Sequence, residues 1–246
     1  MLLSLTGASG VGKSTALDAI ADAFEGRPVT CVEFDSLGVP QGADTAWRHG
    51  VLERWVRRAV EEQREGRHFV LCGQVPVGEL LAAPSADALD GIAACLLHCS
   101  PEVRRARLLA RGEDPAALQD HLAFGEWFLR HTLDPTYRPE VIRVPGDVPM
   151  CWERWGDWRP GDPRWAFEVI DTDSLTREQT GQQAAVWARD TLAGRLPTPL
   201  TGAWWSPDEV RGARPPADGP ASGGMGTRHA RRTPSDAAHR RVVVAG

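Results

Sequence analysis

Lysine is almost absent from this chain of 246 residues, which has one lysine, Lys13, among its 28 basic residues. A composition bias toward arginine accounts for most basic positions, because a solvated surface cation can be of either type. A planar guanidinium cannot replace a compact ammonium wherever the cation must fit between closely spaced anionic oxygens. The one lysine therefore indicates a position where the geometry of the cation matters.

Long apolar runs and paired cysteines are also missing. No stretch approaches the roughly 20 apolar residues of a membrane-spanning helix, and residues 1–6 are too short for a signal peptide. We therefore expect a cytoplasmic protein with no membrane partner. The cysteines form no CxxC pair and fit no zinc pattern, which predicts reduced thiols in the core. They are Cys31, Cys72, Cys95, Cys99 and Cys151.

The charge balance is mildly acidic, with a formal net charge of -5, and the hydrophobic fraction of 42% is ordinary for a globular protein. Nucleic-acid-binding domains usually carry a basic surface, so no nucleic-acid partner is expected. The length fits one core with additional segments. The sequence gives no indication of the oligomeric state.

Short apolar runs alternate with amphipathic stretches along the chain, which predicts an α/β fold of three layers with a mainly parallel sheet and helices on both faces. Five strands are predicted, at residues 2–5, 29–34, 69–72, 92–99 and 166–170. Helices are predicted at residues 13–24, 44–65, 101–111, 114–133 and 177–192, with Ser100 and Thr176 as N-caps. In such sheets, ligands bind beyond the carboxyl ends of the strands.

The domain prediction divides the chain into residues 1–195, a single globular domain, and residues 196–246, a tail without fixed structure that is rich in Pro, Gly and Arg. Within the domain, residues 101–133 are predicted to form a helical lid. Residues 141–165, rich in Pro, Gly and Trp, are predicted to be irregular.

The strongest motif joins the first strand to the first helix. Residues 7–14, GASGVGKS, fill every defined position of GxxxxGK[ST] in the required context. Glycines let backbone N–H groups surround a phosphate, Lys13 bridges the β- and γ-phosphates, and Ser14 offers an oxygen to Mg²⁺. The predicted binding residues for ATP are Gly7, Ser9, Gly10, Val11, Gly12, Lys13, Ser14 and Thr15.

With this loop, the chain resembles the P-loop small-molecule kinases, which include gluconate, shikimate and nucleoside kinases and chloramphenicol phosphotransferase. The resemblance covers about residues 1–192 and is strongest at the loop. It implies a P-loop NTPase fold, ATP and Mg²⁺ as ligands, and transfer of the γ-phosphate to a small-molecule acceptor.

Two further segments resemble these kinases. Asp35 and Ser36 follow the second strand, where the resemblance implies an aspartate that faces the acceptor hydroxyl and assists magnesium binding. Residues 100–112 resemble the lid, which implies that Arg107 and Arg111, one helical turn apart, close over the nucleotide. The alternatives are that Asp35 is an ordinary turn residue and that residues 100–112 form an arginine-rich, solvated helix.

Two other places are less specific. Asp171 and Asp173 follow the last strand, where related kinases have a loop that borders the adenine, or they are ordinary strand-end and helix-start residues. After the third strand stands Gln74, where many P-loop ATPases have a magnesium-linked acid. Gluconate and shikimate kinases also lack that acid, so this departure disfavours motor-type and AAA-type ATPases only.

The acceptor cannot be identified from the sequence. Possible acceptor-side residues are Gln74, Glu79, Arg130, His131, Asp134 and Arg138. Four tryptophans either form an aromatic wall for a ring-bearing acceptor or hold an irregular segment to the domain: Trp152, Trp155, Trp158 and Trp165.

Three functions remain open at this stage: a kinase with a hydroxyl acceptor, a nucleotide kinase with a phosphate acceptor, and a non-catalytic nucleotide-binding regulator. Asp35 disfavours the second, because a phosphate acceptor would call for arginines there. Tight ATP binding without acceptor-dependent turnover would indicate the third.

Overall fold

A computed structural model describes residues 1–165, 167–196, 200–201 and 240–242 of the chain. Its strands are β1 (Leu2–Thr6), β2 (Val29–Glu33), β3 (His68–Gly73), β4 (Gly91–His98), β5 (Phe167–Asp171), β6 (Leu200–Thr201) and β7 (Arg240–Val242). Its α-helices are α1 (Lys13–Ala23), α2 (Thr45–Arg64), α3 (Val77–Ala82), α4 (Pro101–Ala110), α5 (Leu118–Leu133) and α6 (Arg177–Leu192).

Five parallel strands form the sheet in the order β2-β3-β1-β4-β5, which confirms the predicted mainly parallel α/β architecture. Two short strands add antiparallel pairs, β6 to the start of β4 and β7 to β5. The carboxyl ends of β1, β2 and β3 therefore meet at one edge, and the segments that follow them lie close together.

Both faces of the sheet are covered, because side chains on successive strand residues point to opposite sides. In β1, Leu2 packs with the apolar faces of α2, α3 and α5, whereas Leu3 and Leu5 pack with α1 and α6. The chain thus forms the three layers that the alternation of strands and helices predicts.

The predicted N-caps of two helices, Ser100 and Thr176, are confirmed. Ser100 accepts a hydrogen bond from the Val103 N–H at the start of α4, and Thr176 and Gln179 form a complete capping box at α6. The predicted start of the next helix at Asp114 is wrong, since α5 begins at Leu118. The Asp114 carboxylate accepts from the Ala116 N–H instead, and this local turn competes with the first turn of a helix.

The predicted lid segment, 101–133, is more firmly packed than a mobile cover. Trp127 and Phe128 of α5 belong to the main core cluster. The Arg104 guanidinium of α4 is buried against Gly125 of α5, where an added Cβ would stand 1.6 Å from Nη1. The connection between the two helices, residues 111–117, is mostly exposed.

The segment 141–165 has no regular helix or strand beyond short 3-10 turns, as predicted. Trp155 and Trp165 are buried, and their ring N–H groups donate to the Gly78 and Thr132 carbonyls at 2.8 and 2.9 Å. With the buried Trp158, they hold this segment to the domain. Trp155 and Trp158 also line a surface cavity of about 480 Å³.

The predicted tail, residues 196–246, lies mostly outside the described residues, and the parts described beyond Leu196 are β6 and β7. Among the described helices, none is both long enough and apolar enough to traverse a bilayer.

His131 sits in an aromatic cage and makes folding sensitive to pH. Its ring stacks on Trp127 with centroids 5.1 Å apart, and Nδ1 donates to the Tyr137 carbonyl at 3.0 Å. Burial lowers the pKa of His131 to about 4, although the Tyr137 carbonyl and Glu79 act in the opposite direction.

We expect the free energy of unfolding to fall as pH decreases from about 6.5 toward 4, because the unfolded imidazole binds a proton in this range and the folded one does not. The loss between pH 6.5 and 5 is about 2 kcal/mol, measurable by urea unfolding. His131→Phe should remove this part of the pH dependence, whereas His121→Gln, at a partly exposed histidine, should keep it. An unchanged pH slope in the phenylalanine variant would contradict the assignment.

Candidate nucleotide-binding site

The loop between β1 and α1 requires its glycines for steric reasons. Gly7 has φ 149° and lies so close to β4 that an added Cβ would stand 2.4 Å from the Leu97 carbonyl oxygen. Gly10 and Gly12 have φ values of 85° and 97°, which side-chain-bearing residues rarely adopt. The motif glycines thus allow the chain to turn sharply from the strand into the helix.

The first turn of α1 is open to an anion. Gly12 is its N-cap residue and provides no side-chain acceptor, and the first turn contains no acidic residue. The N–H groups at a helix start have no partners within the helix, and together with the helix dipole they favour bound negative charge. Ser14 at this position is exposed, and Thr15 is partly exposed.

Lys13 lies at the centre of the loop. Its Nζ donates to the Ala8 carbonyl at 3.0 Å, which holds the ammonium above the loop. Burial lowers the pKa of Lys13, while the negative charges of Asp35 and Glu33 raise it and Arg111 lowers it further. Arg111 lines the same cavity as Lys13 although the two are distant in sequence.

A cavity of about 650 Å³ adjoins the loop, within the size range of small-molecule sites. Its walls carry four basic side chains and no carboxylate, which suits a polyphosphate. The lining residues are Gly10, Val11, Gly12, Lys13, Ser14, Thr15, Arg107, Ala110, Arg111, Leu175, Arg177 and Thr180. Most of the predicted nucleotide-binding residues therefore line one cavity, together with both predicted lid arginines.

The Arg107 side chain already has protein partners. Its guanidinium donates to the Thr172 carbonyl at 2.6 Å and to the Thr172 hydroxyl at 2.9 Å, and it lies 3.5 Å from the Gly10 carbonyl. Arg107 thus joins the lid helix, the end of β5 and the phosphate loop. Its predicted contact with the transferring phosphoryl group would require some of these hydrogen bonds to exchange.

Arg111 ends α4 with its side chain 60% exposed and pairs with Glu113 at 3.3 Å. An exposed ion pair of this kind is weak, so the guanidinium is available to an anion in the cavity. Arg105 of the same helix is exposed and does not line the cavity.

Asp35 lies in a 3-10 turn, Phe34–Leu37, directly after β2. Two hydrogen bonds fix this turn. The Trp55 ring N–H donates to the Phe34 carbonyl at 3.0 Å, and the Ser36 hydroxyl donates to the Glu33 carbonyl at 2.6 Å. The Asp35 carboxylate itself is exposed. The turn is therefore fixed while the carboxylate is open to solvent, and Asp35 is not among the residues that line the cavity at the loop.

The donor set fits a magnesium ion bound mainly through phosphate oxygens. Ser14 and Asp35 offer one hydroxyl and one carboxylate, both exposed. Mg²⁺ commonly takes few protein ligands and completes its shell with water and phosphate. In the part of the chain that the structure describes, no group of three acidic, histidine or cysteine residues forms a metal cage.

Gln74 replaces an acid after β3 and contacts the loop directly. Its amide nitrogen donates to the Ser9 hydroxyl at 3.1 Å. Next to it, the Thr6 hydroxyl donates to the Val75 carbonyl at 2.8 Å and accepts from the Val75 N–H at 3.1 Å. The segment after β3 is thereby held against the end of β1.

The other acceptor-side candidates do not gather at the cavity. Glu79 is fully buried and paired with Arg48 and His49, and His131 lies in its aromatic cage. Exposed Arg130 pairs with Glu126 at 2.7 Å. Of the remaining two, Asp134 accepts from Thr136 and Arg138 pairs with Glu140.

The two aspartates after β5 have structural partners. The Asp173 carboxylate accepts from the Ser100 N–H at 2.7 Å, and the Asp171 carboxylate accepts from the Asp173 N–H at 3.0 Å. They shape the loop beside the cavity, and the residue of that loop that lines the cavity is Leu175.

Sequence reasoning missed Arg177, the first residue of α6. Arg177 lines the cavity one helical turn before Thr180. Thr180 lies against the loop, since its methyl group would be 3.7 Å from a Cβ added to Gly12. Arg177 is exposed and forms no ion pair or hydrogen bond within the described part of the chain. The capping box that fixes the start of α6 could have located it, since residues 177 and 180 share a helix face.

Replacing Arg177 with alanine is expected to raise the Kd for MgATP about fivefold to tenfold and to leave the melting temperature unchanged, because one cation that faces the phosphates is removed. Titration calorimetry with MgATP measures the effect. Arg189→Ala, on an exposed position near the other end of α6, is the matched control. Equal affinities in both variants would remove Arg177 from the site.

Neither a protein-family model nor a curated protein sequence matches this chain. Among solved structures, it is similar to a sugar kinase from Janibacter sp. HTCC2649, at 17% identity and a TM-score of 0.49, over 78% of this chain and 96% of that one. It is also similar to a gluconokinase from Sinorhizobium meliloti 1021, at 20% identity and a TM-score of 0.46, over 78% and 95%. Likeness at this level does not bear on the reaction or the substrate.

Proposed function

We propose that this chain is a phosphotransferase that moves the γ-phosphate of ATP to a hydroxyl group of a small molecule. The observation that carries the proposal is the position of Asp35. An exposed carboxylate on a fixed turn follows β2, whose carboxyl end lies at the same edge of the sheet as the phosphate-binding loop that follows β1 and carries the only lysine of the sequence. A carboxylate there can accept the proton of an acceptor hydroxyl, a role that nucleotide binding alone does not require.

The residues have separate roles in this mechanism. Lys13 and the N–H groups of the loop hold the β- and γ-phosphates, and Arg111 and Arg107 supply positive charge from the opposite wall. Mg²⁺, held by Ser14 with Asp35 nearby, would neutralise charge on the phosphate oxygens.

The transfer step itself needs little covalent chemistry from the protein. The acceptor oxygen forms a bond to the γ-phosphorus, the bond from that phosphorus to the β–γ bridging oxygen breaks, and ADP leaves. Asp35 orients the hydroxyl and accepts its proton. Because such transfer depends mainly on positioning, an exposed aspartate in the right place suffices.

Acceptor-dependent release of ADP tests the proposal. A library of hydroxylated metabolites is screened with MgATP, and each active compound is checked for a phosphorylated product by mass spectrometry. At least one compound should raise ADP release well above the acceptor-free rate. Tight MgATP binding with no acceptor-dependent turnover across the library would instead support a nucleotide-binding regulator.

A further inference from the structure

Thr172, the residue directly after β5, has no role in the proposed mechanism, yet all of its polar groups are hydrogen-bonded. It is fully buried, although its neighbours Asp171 and Asp173 are exposed. Its N–H and its hydroxyl both donate to the His98 carbonyl at the end of β4, at 2.8 and 2.9 Å. Thr172 is therefore part of a fixed connection between the carboxyl ends of β4 and β5.

These bonds determine the direction of the Thr172 hydroxyl. A hydroxyl has one hydrogen to donate and two lone pairs that accept. Because the hydrogen is directed at the His98 carbonyl, the oxygen accepts from Nη1 of Arg107 at 2.9 Å. The Thr172 carbonyl accepts from Nη2 of the same guanidinium at 2.6 Å. Two bonds from the two amino groups of one guanidinium fix both its position and its plane.

The helix that carries Arg107 packs against the phosphate loop at Gly10. Nη1 of Arg107 lies 3.5 Å from the Gly10 carbonyl oxygen. A Cβ added to Gly10 would stand 3.4 Å from the Leu108 side chain and 3.5 Å from Cγ of Arg104. The helix α4 thus supports the loop at Gly10, and Arg107 is the member of this contact whose side chain lines the cavity at the loop.

The segment that holds Arg107 is itself fixed. The Asp173 carboxylate accepts from the Ser100 N–H at 2.7 Å, which connects the chain after β5 to the start of α4. The Leu175 N–H donates to the Thr172 carbonyl at 3.3 Å. The acceptors of the Arg107 guanidinium therefore cannot follow it if it moves toward the cavity.

Turning Arg107 toward a phosphate would leave the two Thr172 oxygen atoms without their charged donor, and a buried acceptor that loses its donor destabilises the protein. Arg111 and Arg177 line the same cavity and are exposed. These two side chains can reach an anion without breaking a buried hydrogen bond. The arrangement therefore favours Arg107 as a fixed cation and the other two arginines as those that contact a phosphate.

We propose that Thr172 is a positioning residue for nucleotide binding, and that Arg107 keeps its hydrogen bonds to Thr172 while MgATP is bound. We call this pair the Arg107–Thr172 brace. Arg107 then supplies its charge from a fixed place on the cavity wall and supports the loop at Gly10, and other groups contact the phosphates. This rests on the proposed function, in which the loop holds MgATP.

Thr172→Val removes the hydroxyl and keeps the shape of the side chain. It is expected to raise the Kd for MgATP about fivefold to tenfold in titration calorimetry, because Arg107 loses a charge-assisted hydrogen bond. Thr172→Ser keeps the hydroxyl and should stay within about twofold of the unaltered protein. Thr191→Val, which should leave the Kd unchanged, is the matched control, since Thr191 is buried and its hydroxyl has no hydrogen-bond partner within the described residues.

A mobile Arg107 would give the opposite sign. If the guanidinium left Thr172 to contact a phosphate, the valine variant would remove a competing acceptor, and MgATP would bind more tightly or equally well. Either result would overturn the proposal. Arg107→Lys gives an independent test, because an ammonium keeps the charge but cannot form the planar pair of bonds to Thr172. This variant should bind MgATP as weakly as Arg107→Ala, and affinity equal to that of the unaltered protein would overturn the brace.

A double-mutant cycle shows whether the Thr172 hydroxyl acts through the guanidinium. In the Arg107→Ala background, Thr172→Val should change the Kd for MgATP by less than about twofold, since the bond between the two side chains is already absent. Additive losses would overturn the proposal. Lack of MgATP binding by the unaltered protein would refute the proposed function itself, whereas MgATP binding that is insensitive to Thr172→Val would refute the brace alone.

Discussion

Replacing Lys13 with alanine is expected to lower kcat/KM for phosphoryl transfer by about 10³-fold, the largest effect of any single substitution in this chain. Lys13 is the only lysine of the sequence, and its Nζ reaches back over the loop to within 3.0 Å of the Ala8 carbonyl. Three arginines line the same cavity, yet none is placed inside the loop. Initial rates of ADP release, with a compound from the acceptor screen, measure the loss.

Lys13→Arg is the informative companion variant, because it keeps the charge and changes its shape. We expect it to be nearly as inactive as the alanine variant, since a planar guanidinium cannot take the place of the compact ammonium between phosphate oxygens. Arg27→Ala, an exposed position just after α1, is the control for loss of one positive charge. Unchanged MgATP affinity and activity in Lys13→Ala would refute the loop assignment.

The second large effect is expected for Asp35→Asn, which should lower kcat by about 10²-fold to 10³-fold and leave the Kd for MgATP within threefold. The amide can still accept a hydrogen bond from the acceptor hydroxyl but cannot take its proton. The turn should persist, because Phe34 and Ser36 hold it through the Trp55 and Glu33 contacts.

Glu33→Gln separates the carboxylate of Asp35 from a general loss of negative charge near Lys13. Glu33 is exposed, and its charge also raises the pKa of Lys13. We expect this variant to retain kcat within a few fold. Equal losses in the two variants would mean that Asp35 acts only through the field at Lys13, and full activity of Asp35→Asn would remove it from the mechanism.

Local patterns predicted the fold and the loop well. The run of apolar residues before Gly7, the motif itself and the apolar spacing after Lys13 each depend on neighbours within a few residues, so strand, loop and helix could be assigned from the sequence. The topology puts the turn of Asp35 and the loop of Lys13 at the same edge of the sheet, since both come after strands whose carboxyl ends meet there.

Features that depend on distant partners could not be predicted in the same way. Arg107 has its main hydrogen bonds with Thr172, 65 positions away, and the resemblance alone could not show that its guanidinium already has protein acceptors. The tryptophans were interpreted either as an aromatic wall or as anchors of an irregular segment, and the two interpretations differ only in what the rings contact. The Trp155 ring N–H donates a hydrogen bond to the Gly78 carbonyl, 77 positions away. The roles of Asp35, Arg107 and Arg111 in transfer stay predictions until the variants are measured.

The contact between Arg104 and Gly125 limits how the segment 101–133 can move relative to the rest of the domain. The Arg104 guanidinium fills the space that a side chain at position 125 would occupy, so α4 cannot rotate without moving α5. Residues of α5 belong to the main core cluster. Hinged closure of the whole 101–133 segment would therefore break the interior of the domain. The part of this segment that is free of such packing is the exposed connection at 111–117, where a change of shape would leave both helices in place.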